Sequence, residues 1–203
     1  SDDYIYSICK ILDQPGNPRK FKVSNSIGEL TGSSLRYLYT GLDIKNKLNL
    51  NKMINVVEIG AGYGGQSVIL DKILPIKNYF YVDLQEVNQL IDRFVSNFNL
   101  NFNYTFNTLE DKFDYDQEFD LVISNYAFSE LPRNLQNFAL NKIINNSKNG
   151  YMIINSHGLE KNIFLKKYDF HTIDELKKLI PNLLILEEYP QSHKNNKLLT
   201  FSR

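Results

Sequence analysis

The chain has 203 residues, of which 42% are hydrophobic, so it can build one α/β domain with a modest extension but not two independent domains. Its 23 basic and 23 acidic residues cancel, its single cysteine excludes an internal disulfide, and no apolar run reaches the roughly 20 residues of a membrane helix. We therefore expect a soluble cytoplasmic protein that has neither nucleic acid nor a membrane as its partner.

The N-terminal 50 residues predict an extension of mixed character. Residues 14–18 are rich in turn-forming types, so residues 1–30 are expected to be irregular and to lie over the core. Apolar residues then recur at helical spacing between Ser33 and about Lys47. They include Leu35, Leu38 and Leu42. We predict a helical and irregular extension over 1–50, packed on a main domain over 51–203.

A cluster of glycines follows the first strongly apolar run of the main domain. The run from Val56 to Ile59 predicts a strand, and residues 66–74 predict a helix. The glycines between them are Gly60, Gly62, Gly64 and Gly65. Strand, tight loop and helix in this order are typical of a nucleotide-type binding unit. Because glycine accepts positive φ and carries no Cβ, a ligand can lie directly on the loop.

Strands and helices alternate after this loop. Strands are predicted over 78–83, 103–107, 118–125, 151–155, 183–188 and 197–202. Helices are predicted over 87–98, from Pro132 to a stop at Gly150, and from a capping box at Thr172 to Pro181. Such alternation predicts a mostly parallel sheet with helices on both faces, and ligands of these sheets bind beyond the carboxyl ends of the strands. The residues expected to converge there are Glu58, Gly60, Asp83, Asn107, Asn125 and His157.

The charges beside the loop discriminate between ligands. Glu58 lies two residues before the first glycine and would repel the pyrophosphate of a dinucleotide, although Gly60, Gly62 and Gly65 also fit the dinucleotide pattern. S-adenosylmethionine (SAM) instead carries an ammonium and a sulfonium. Asp83 can accept hydrogen bonds from ribose hydroxyls in either case, but a dehydrogenase normally needs a separate substrate domain. SAM is therefore favoured over a dinucleotide, and a purely structural turn is the third option.

The segment Glu58–Gly65 resembles the first motif of class I SAM-dependent methyltransferases. Further stretches are similar to a family of sugar O-methyltransferases, and the resemblance covers about residues 30–203. These stretches are Asp83–Val87, Ser124–Leu131, 142–151 and 188–196. The resemblance implies a Rossmann-like fold with a mostly parallel seven-stranded sheet and an antiparallel last strand. It also implies methyl transfer from SAM to a hydroxyl of a sugar, either a glycan or a nucleotide sugar.

Residues at four neighbouring strand ends are expected to bind the cofactor. They are Glu58, Gly60, Ala61, Gly62, Tyr63, Gly64, Gln66, Asp83, Leu84, Asn107, Thr108, Leu109, Ser124, Asn125 and Tyr126.

A sugar hydroxyl is a poor nucleophile, so we expect a general base near it. The candidates are Glu130, His157 and His193. A loop histidine is often simply solvated, and Glu130 can instead cap the helix that begins near Pro132. Asp83, Glu86 and Glu130 lack the spacing of a metal site, so no metal is expected.

N-methylation is the alternative function. Amino-methyltransferases place Asn/Asp-Pro-Pro-Tyr/Phe after the fourth strand, and Asn125 and Phe128 keep that spacing without the two prolines. An inactive interaction module would be suggested by a broken glycine loop, whereas this loop is intact. The acceptor, the hydroxyl methylated and the oligomeric state, a homodimer being one option, stay open.

Overall fold

The computed structural model describes residues 2–25, 27–109, 117–155 and 169–203. The helices are α1 (Asp2–Leu12), α2 (Gly32–Lys47), α3 (Gly65–Leu70), α4 (Gln85–Val95), α5 (Ala127–Glu130), α6 (Arg133–Lys142) and α7 (Ile173–Leu179). The strands are β1 (Phe21–Ser24), β2 (Gly28–Leu30), β3 (Ile54–Ile59), β4 (Ile76–Val82), β5 (Asn103–Asn107), β6 (Phe119–Asn125), β7 (Ser147–Ile154), β8 (Leu184–Glu187) and β9 (Lys197–Ser202). Within these ranges no helix combines the length and the apolar character needed to span a bilayer.

Seven strands form one sheet in the order β5-β4-β3-β6-β7-β9-β8, and β1 pairs with β2 in a separate hairpin. All neighbours in the sheet run parallel except β9, which is antiparallel to both β7 and β8. The expected mostly parallel, seven-stranded sheet with an antiparallel last strand is confirmed. The chain leaves β3 towards β4 and later returns to its other side at β6. This reversal creates a crevice at the carboxyl end of β3.

Each face of the sheet has its own buried cluster. Val56 belongs to the cluster beneath α1, α2, α3 and α4, whereas the next residue, Val57, belongs to the cluster beneath α5, α6 and α7. Successive side chains of a strand point to opposite faces, so a strand apolar at both positions must be covered twice. The prediction of helices on both faces is therefore confirmed.

The prediction that residues 1–30 are irregular is wrong. This segment forms α1 and the β1–β2 hairpin. Ile8, Cys9 and Leu12 of α1 are buried in the same cluster as Val56 of the sheet. Their spacing of three and four residues is a helical signal that the turn-rich residues after Asp13 obscured. The division of the chain into parts at residue 50 stays a prediction.

The prediction that Gly150 ends a helix is also wrong. Helix α6 ends at Lys142, and Gly150 lies within β7, opposite Phe201 of β9. A Cβ at position 150 would be 2.1 Å from Cε1 of Phe201. The glycine therefore makes room for an aromatic ring of the adjacent strand.

Candidate functional site

Two cavities flank the glycine loop at the carboxyl ends of β3, β4 and β5. The first, here called the α2 cavity, has a volume of about 930 Å³ and lies between the loop, α2 and the segment after α1. The second, the α4 cavity, has a volume of about 890 Å³ and lies between the loop, α4 and the end of β5. Gly60 lines both cavities. One elongated ligand that crosses the loop can therefore occupy both.

The backbone of the loop leaves open space at one glycine. Gly60 and Gly62 have φ of +76° and +61°, a region that side chains disfavour. A Cβ at Gly60 would lie 2.0 Å from Cβ of Ala127, so this glycine permits close packing. A Cβ at Gly62 would meet no atom within 4 Å. The absent side chain at Gly62 thus leaves the α2 cavity, which Gly62 lines, accessible to a ligand.

Asp83 joins the end of β4 to the loop and lines the α4 cavity. Its carboxylate accepts hydrogen bonds from the backbone N–H groups of Gly62 at 3.2 Å and Leu84 at 2.8 Å. Burial raises the pKa of Asp83, and the N–H groups of Leu84, Gly62 and Ala61 oppose this shift. The geometry fixes a hydrogen-bond acceptor at the cavity wall, where hydroxyls of a ligand can reach it.

Two amide side chains on the wall of the α4 cavity have unused polar atoms. Asn88 Nδ2 donates to the backbone oxygen of Asn107 at 2.8 Å. Asn88 Oδ1 and Asn107 Nδ2 are buried, and neither has a hydrogen-bond partner within the described residues. Thr108 and Leu109 line the cavity beside them. Two amide side chains with unpartnered atoms and an apolar surface thus meet at this wall.

Glu58 is buried beneath the α2 cavity. Tyr79 Oη donates to its carboxyl group at 2.6 Å. Burial raises the pKa of Glu58 to about 8; the hydrogen bond from Tyr79 opposes this, and the charge of Asp83 adds to it. Burial thus favours the neutral form of this carboxyl. A neutral Glu58 would not repel a pyrophosphate, contrary to the expectation from its charge, whereas a cation beside the carboxyl would favour its ionised form.

Arg36, Tyr126 and Glu188 form a polar cluster at the end of the α2 cavity. Arg36 Nη1 donates to Tyr126 Oη and, at 2.9 Å, to Glu188, while Tyr126 Oη also donates to Glu188. Arg36 and Tyr126 line the cavity, and Tyr126 has φ of +73°. Asn125, the preceding residue, lines the same cavity, and its buried Oδ1 has no hydrogen-bond partner within the described residues.

The predicted cofactor residues fall into three groups. Those on the α2 cavity are Glu58, Gly60, Ala61, Gly62, Tyr63, Asn125 and Tyr126. Those on the α4 cavity are Gly60, Asp83, Leu84, Asn107, Thr108 and Leu109. Gly64, Gln66 and Ser124 line neither cavity, but they form hydrogen bonds with residues close to the cavity walls. Ser124 Oγ, for example, donates to the backbone oxygen of Ile59 at 3.0 Å and accepts from the N–H of Phe128 at 3.0 Å.

Of the three candidate bases, the structure describes Glu130 and His193, and only Glu130 lines one of the two cavities. Glu130 lines the α4 cavity and accepts a hydrogen bond from Asn155 Nδ2 at 2.6 Å. His193 is exposed, lines neither cavity, and lies with its Nδ1 3.5 Å from the N–H of Asn195. His157 lies outside the described residues. Among the residues described, no group of three or more acidic, histidine or cysteine side chains is arranged to hold a metal.

Sequence reasoning missed Arg36 and Glu188. Arg36 is in the helix before the first sheet strand, and Glu188 follows β8, 152 residues away. The only sequence signal for Glu188 is that a carboxylate opens the stretch 188–196, which resembles the sugar O-methyltransferase family. Nothing in that stretch shows that it meets α2.

No family model and no curated protein matches the chain. Among solved structures, it resembles a chain of the complex between the Trm112 methyltransferase activator and a methyltransferase from Haloferax volcanii (16% identity, TM-score 0.59, covering 84% of this chain and 92% of that chain). It also resembles the methyltransferase domain of a bacterial Hen1 protein (13%, 0.58, 82% and 97%) and an O-methyltransferase family protein from Burkholderia thailandensis (12%, 0.58, 83% and 57%). The chain therefore has the Rossmann-like fold of class I methyltransferases.

Proposed function

We propose that the protein is a SAM-dependent methyltransferase that transfers a methyl group to a hydroxyl of a sugar. The observation that carries the proposal is the intact glycine loop between two cavities, with the carboxylate of Asp83 fixed on one side of it. The methyltransferase fold supports this reading. An elongated ligand with two chemically different halves fits this arrangement better than a compact one.

The adenosine half of SAM fits the α4 cavity. Asp83 would accept hydrogen bonds from the ribose hydroxyls. Asn88 Oδ1 and Asn107 Nδ2, both without partners in the described part of the chain, would bind polar edges of the purine. Apolar contact from Leu84 and Leu109 would cover its ring.

The amino-acid half of SAM fits the α2 cavity. Its ammonium would compensate the ionised form of Glu58, and its carboxylate would meet the guanidinium of Arg36. A pyrophosphate in the same place would find a buried carboxyl at Glu58 instead of a cation. SAM is therefore preferred to a dinucleotide, because its ammonium would favour the ionised form of Glu58, whereas a pyrophosphate would gain no compensating charge from this carboxyl.

A sugar acceptor is consistent with the remaining walls of the α2 cavity. Tyr37, Tyr63 and Tyr126 offer aromatic surface against which the apolar faces of a sugar ring can stack, and Asn125 offers a polar edge. Holding the hydroxyl in line with the sulfonium methyl would supply much of the acceleration, and a base such as Glu130, His157 or His193 would add roughly 10²- to 10⁴-fold. Protein residues thereby orient the acceptor and accept its proton.

N-methylation remains the second candidate because of Asn125. Asn125 and Phe128 keep the spacing of the amino-methyltransferase motif, and the Oδ1 of Asn125, which lacks a hydrogen-bond partner within the described residues, would accept from an amine N–H as well as from a hydroxyl. A planar amine would also stack on Tyr126. The test is a methyl-transfer screen with labelled SAM against nucleotide sugars, free glycans and amines. Labelled sugar would support O-methylation, labelled amine would support the alternative, and no transfer to either class would count against both.

The cofactor assignment is tested by two variants. Asp83→Ala removes an acceptor for the ribose hydroxyls and should weaken SAM binding by roughly 100-fold. Gly62→Ala places a methyl group in the open space on the loop and should weaken it by at least about tenfold. Titration calorimetry measures both affinities.

Gly28→Ala is the matched control for the loop variant. Gly28 has φ of +84°, so alanine there bears the same kind of backbone strain, but it lies in the β1–β2 hairpin and lines neither cavity. It should bind SAM like the wild type. Wild-type affinity in both Asp83→Ala and Gly62→Ala would refute the assignment.

A further inference from the structure

Glu188 is a buried carboxylate with an unusually complete set of hydrogen-bond donors. It follows β8, and only 2% of its surface is exposed. Its Oε1 accepts from Arg36 Nη1 at 2.9 Å, from Tyr126 Oη and from Ser192 Oγ at 2.9 Å. Its Oε2 accepts from the N–H of Ser192 at 2.9 Å and from Asn196 Nδ2 at 3.1 Å.

These donors keep Glu188 ionised although it is buried. Burial opposes ionisation, but the hydrogen bonds from Tyr126, from Ser192 and from Arg36 outweigh it and lower the pKa to about 2. A charged group at this depth needs compensation, and Arg36 is its ion-pair partner. Glu188 is therefore a fixed negative charge that orders the residues around it.

Two of those residues belong to the α2 cavity. The hydrogen bonds of Arg36 within the described part all use Nη1, which leaves Nη2 and Nε for another partner. The side chain of Arg36 is 26% exposed and lines the cavity beside Glu58 and the glycine loop. A guanidinium is a planar fork, so anchoring one arm fixes the direction of the others.

We infer that Glu188 is a positioning residue for the amino-acid half of SAM: it orients Arg36 so that the free N–H groups of the guanidinium bind the cofactor carboxylate. The inference rests on the proposed function. It assigns the loop between β8 and β9, which holds Glu188, Ser192 and Asn196, to the cofactor site. Tyr126 also donates a hydrogen bond to Glu188, so Glu188 fixes the part of the α2 cavity wall next to Asn125 as well.

The test compares two ligands that differ in this half. S-adenosylhomocysteine carries the amino-acid group, whereas 5′-methylthioadenosine lacks it and keeps the adenosine. Glu188→Gln removes the charge and conserves the shape, so it should weaken S-adenosylhomocysteine binding by about 10- to 100-fold and leave methylthioadenosine binding unchanged. Calorimetry gives both affinities, and urea unfolding shows the folded fraction of each variant.

Neighbouring and coupled variants provide the controls. Glu187→Gln removes an exposed carboxylate that pairs with Lys197, and it should change neither affinity. Arg36→Gln should reproduce the selective loss, and adding Glu188→Gln to it should cost little more, because both act through one contact. Arg36→Gln removes the group that would contact the cofactor and leaves Glu188 its hydrogen bonds from Tyr126, Ser192 and Asn196, so it tests the same contact if Glu188→Gln fails to fold.

The possible failures are distinguishable. Wild-type protein that binds neither ligand would contradict the proposed function and, with it, the inference. Wild-type protein that binds both ligands, together with a Glu188→Gln variant that binds both equally well or loses both equally, would overturn the inference alone.

Discussion

The ionisation of the Glu58 carboxyl depends on the charge of the ligand beside it. Glu58 is 1% exposed, and burial raises its pKa to about 8, which favours the protonated form. An ammonium placed beside it would favour the ionised form and lower this pKa. Binding of the proposed cofactor should therefore expel a proton, whereas a ligand without a cation would leave the carboxyl protonated.

We expect SAM binding at pH 7 to release up to one proton per protein, and the affinity to rise as the pH increases towards 8. Calorimetry in buffers with different ionisation enthalpies measures the release. Glu58→Gln cannot ionise, so its binding enthalpy should not depend on the buffer in this way. A wild-type enthalpy that is the same in every buffer would contradict the prediction.

The same group sets a pH dependence of stability in the free protein. Its folded pKa of about 8 exceeds the ordinary value of 4.5, so the unfolded chain releases the proton first as the pH rises. As the pH rises from about 4.5 to about 8, this carboxyl therefore progressively lowers the free energy of unfolding. Glu58→Gln should abolish that part of the pH dependence, as urea unfolding at several pH values would show.

Single residues of the site were predictable where the signal is local. Gly62 and Asp83 are recognisable because a glycine loop after a strand, and an acid at the end of the next strand, are short patterns. Arg36 and Glu188 meet through the packing of α2 against the chain after β8. Periodicity shows which face of an element is buried, but it does not show which polar side chains meet across distant elements.

Elements were predictable where apolar periodicity was long. Helix α4, whose apolar face is long, occurs close to where the sequence placed it, and Thr172 forms the expected capping box with Glu175. The errors at α1 and at Gly150 have one origin. Glycine and proline were interpreted as breakers of secondary structure. Gly150 instead lies within a strand, where the absence of a side chain leaves room for the ring of Phe201 on the neighbouring strand.

Gly150→Ala should destabilise the protein by about 1–3 kcal/mol or more, because its Cβ would overlap the ring of Phe201 and force β7 and β9 apart. Urea unfolding measures the loss. A smaller side chain opposite should relieve it, so the pair Gly150→Ala and Phe201→Leu should together cost less than the sum of the single changes. Simple additivity of the two costs would show that the ring is not the obstacle.

At the scale of the whole molecule, a buried carboxylate adds to the apolar packing of α1 in holding the N-terminal segment over the α2 cavity. Asp13, at the end of α1, accepts hydrogen bonds from the N–H of Thr31 at 2.6 Å, from Thr31 Oγ1 at 2.7 Å and from Ser34 Oγ at 2.5 Å. Pro15 and Arg19, just beyond it, line the cavity. The contact therefore joins α1 to the start of α2 and keeps a wall of the cavity in place.

Asp13→Ala should detach α1, because three donors lose a charged acceptor whose hydrogen bonds contribute roughly 1.5–3 kcal/mol each. Hydrogen exchange should show faster exchange of the α1 amides than in the wild type, while β3 and β6 stay protected. Asp3→Ala, at an exposed position of the same helix, is the control and should leave exchange unchanged. Unchanged protection of α1 in Asp13→Ala would show that apolar packing alone holds the helix.

Because Gly60 borders both cavities, the two cavities would act as a bidentate receptor for a ligand that spans the loop. For the proposed cofactor, attachment of one half raises the effective concentration of the other half at its own surface, so the intact molecule gains avidity that neither fragment has. Modest contacts on each side then suffice for tight binding. The same arrangement would discriminate between ligands by their length. A molecule too short to bridge the loop would contact only one of the two cavities and would bind more weakly.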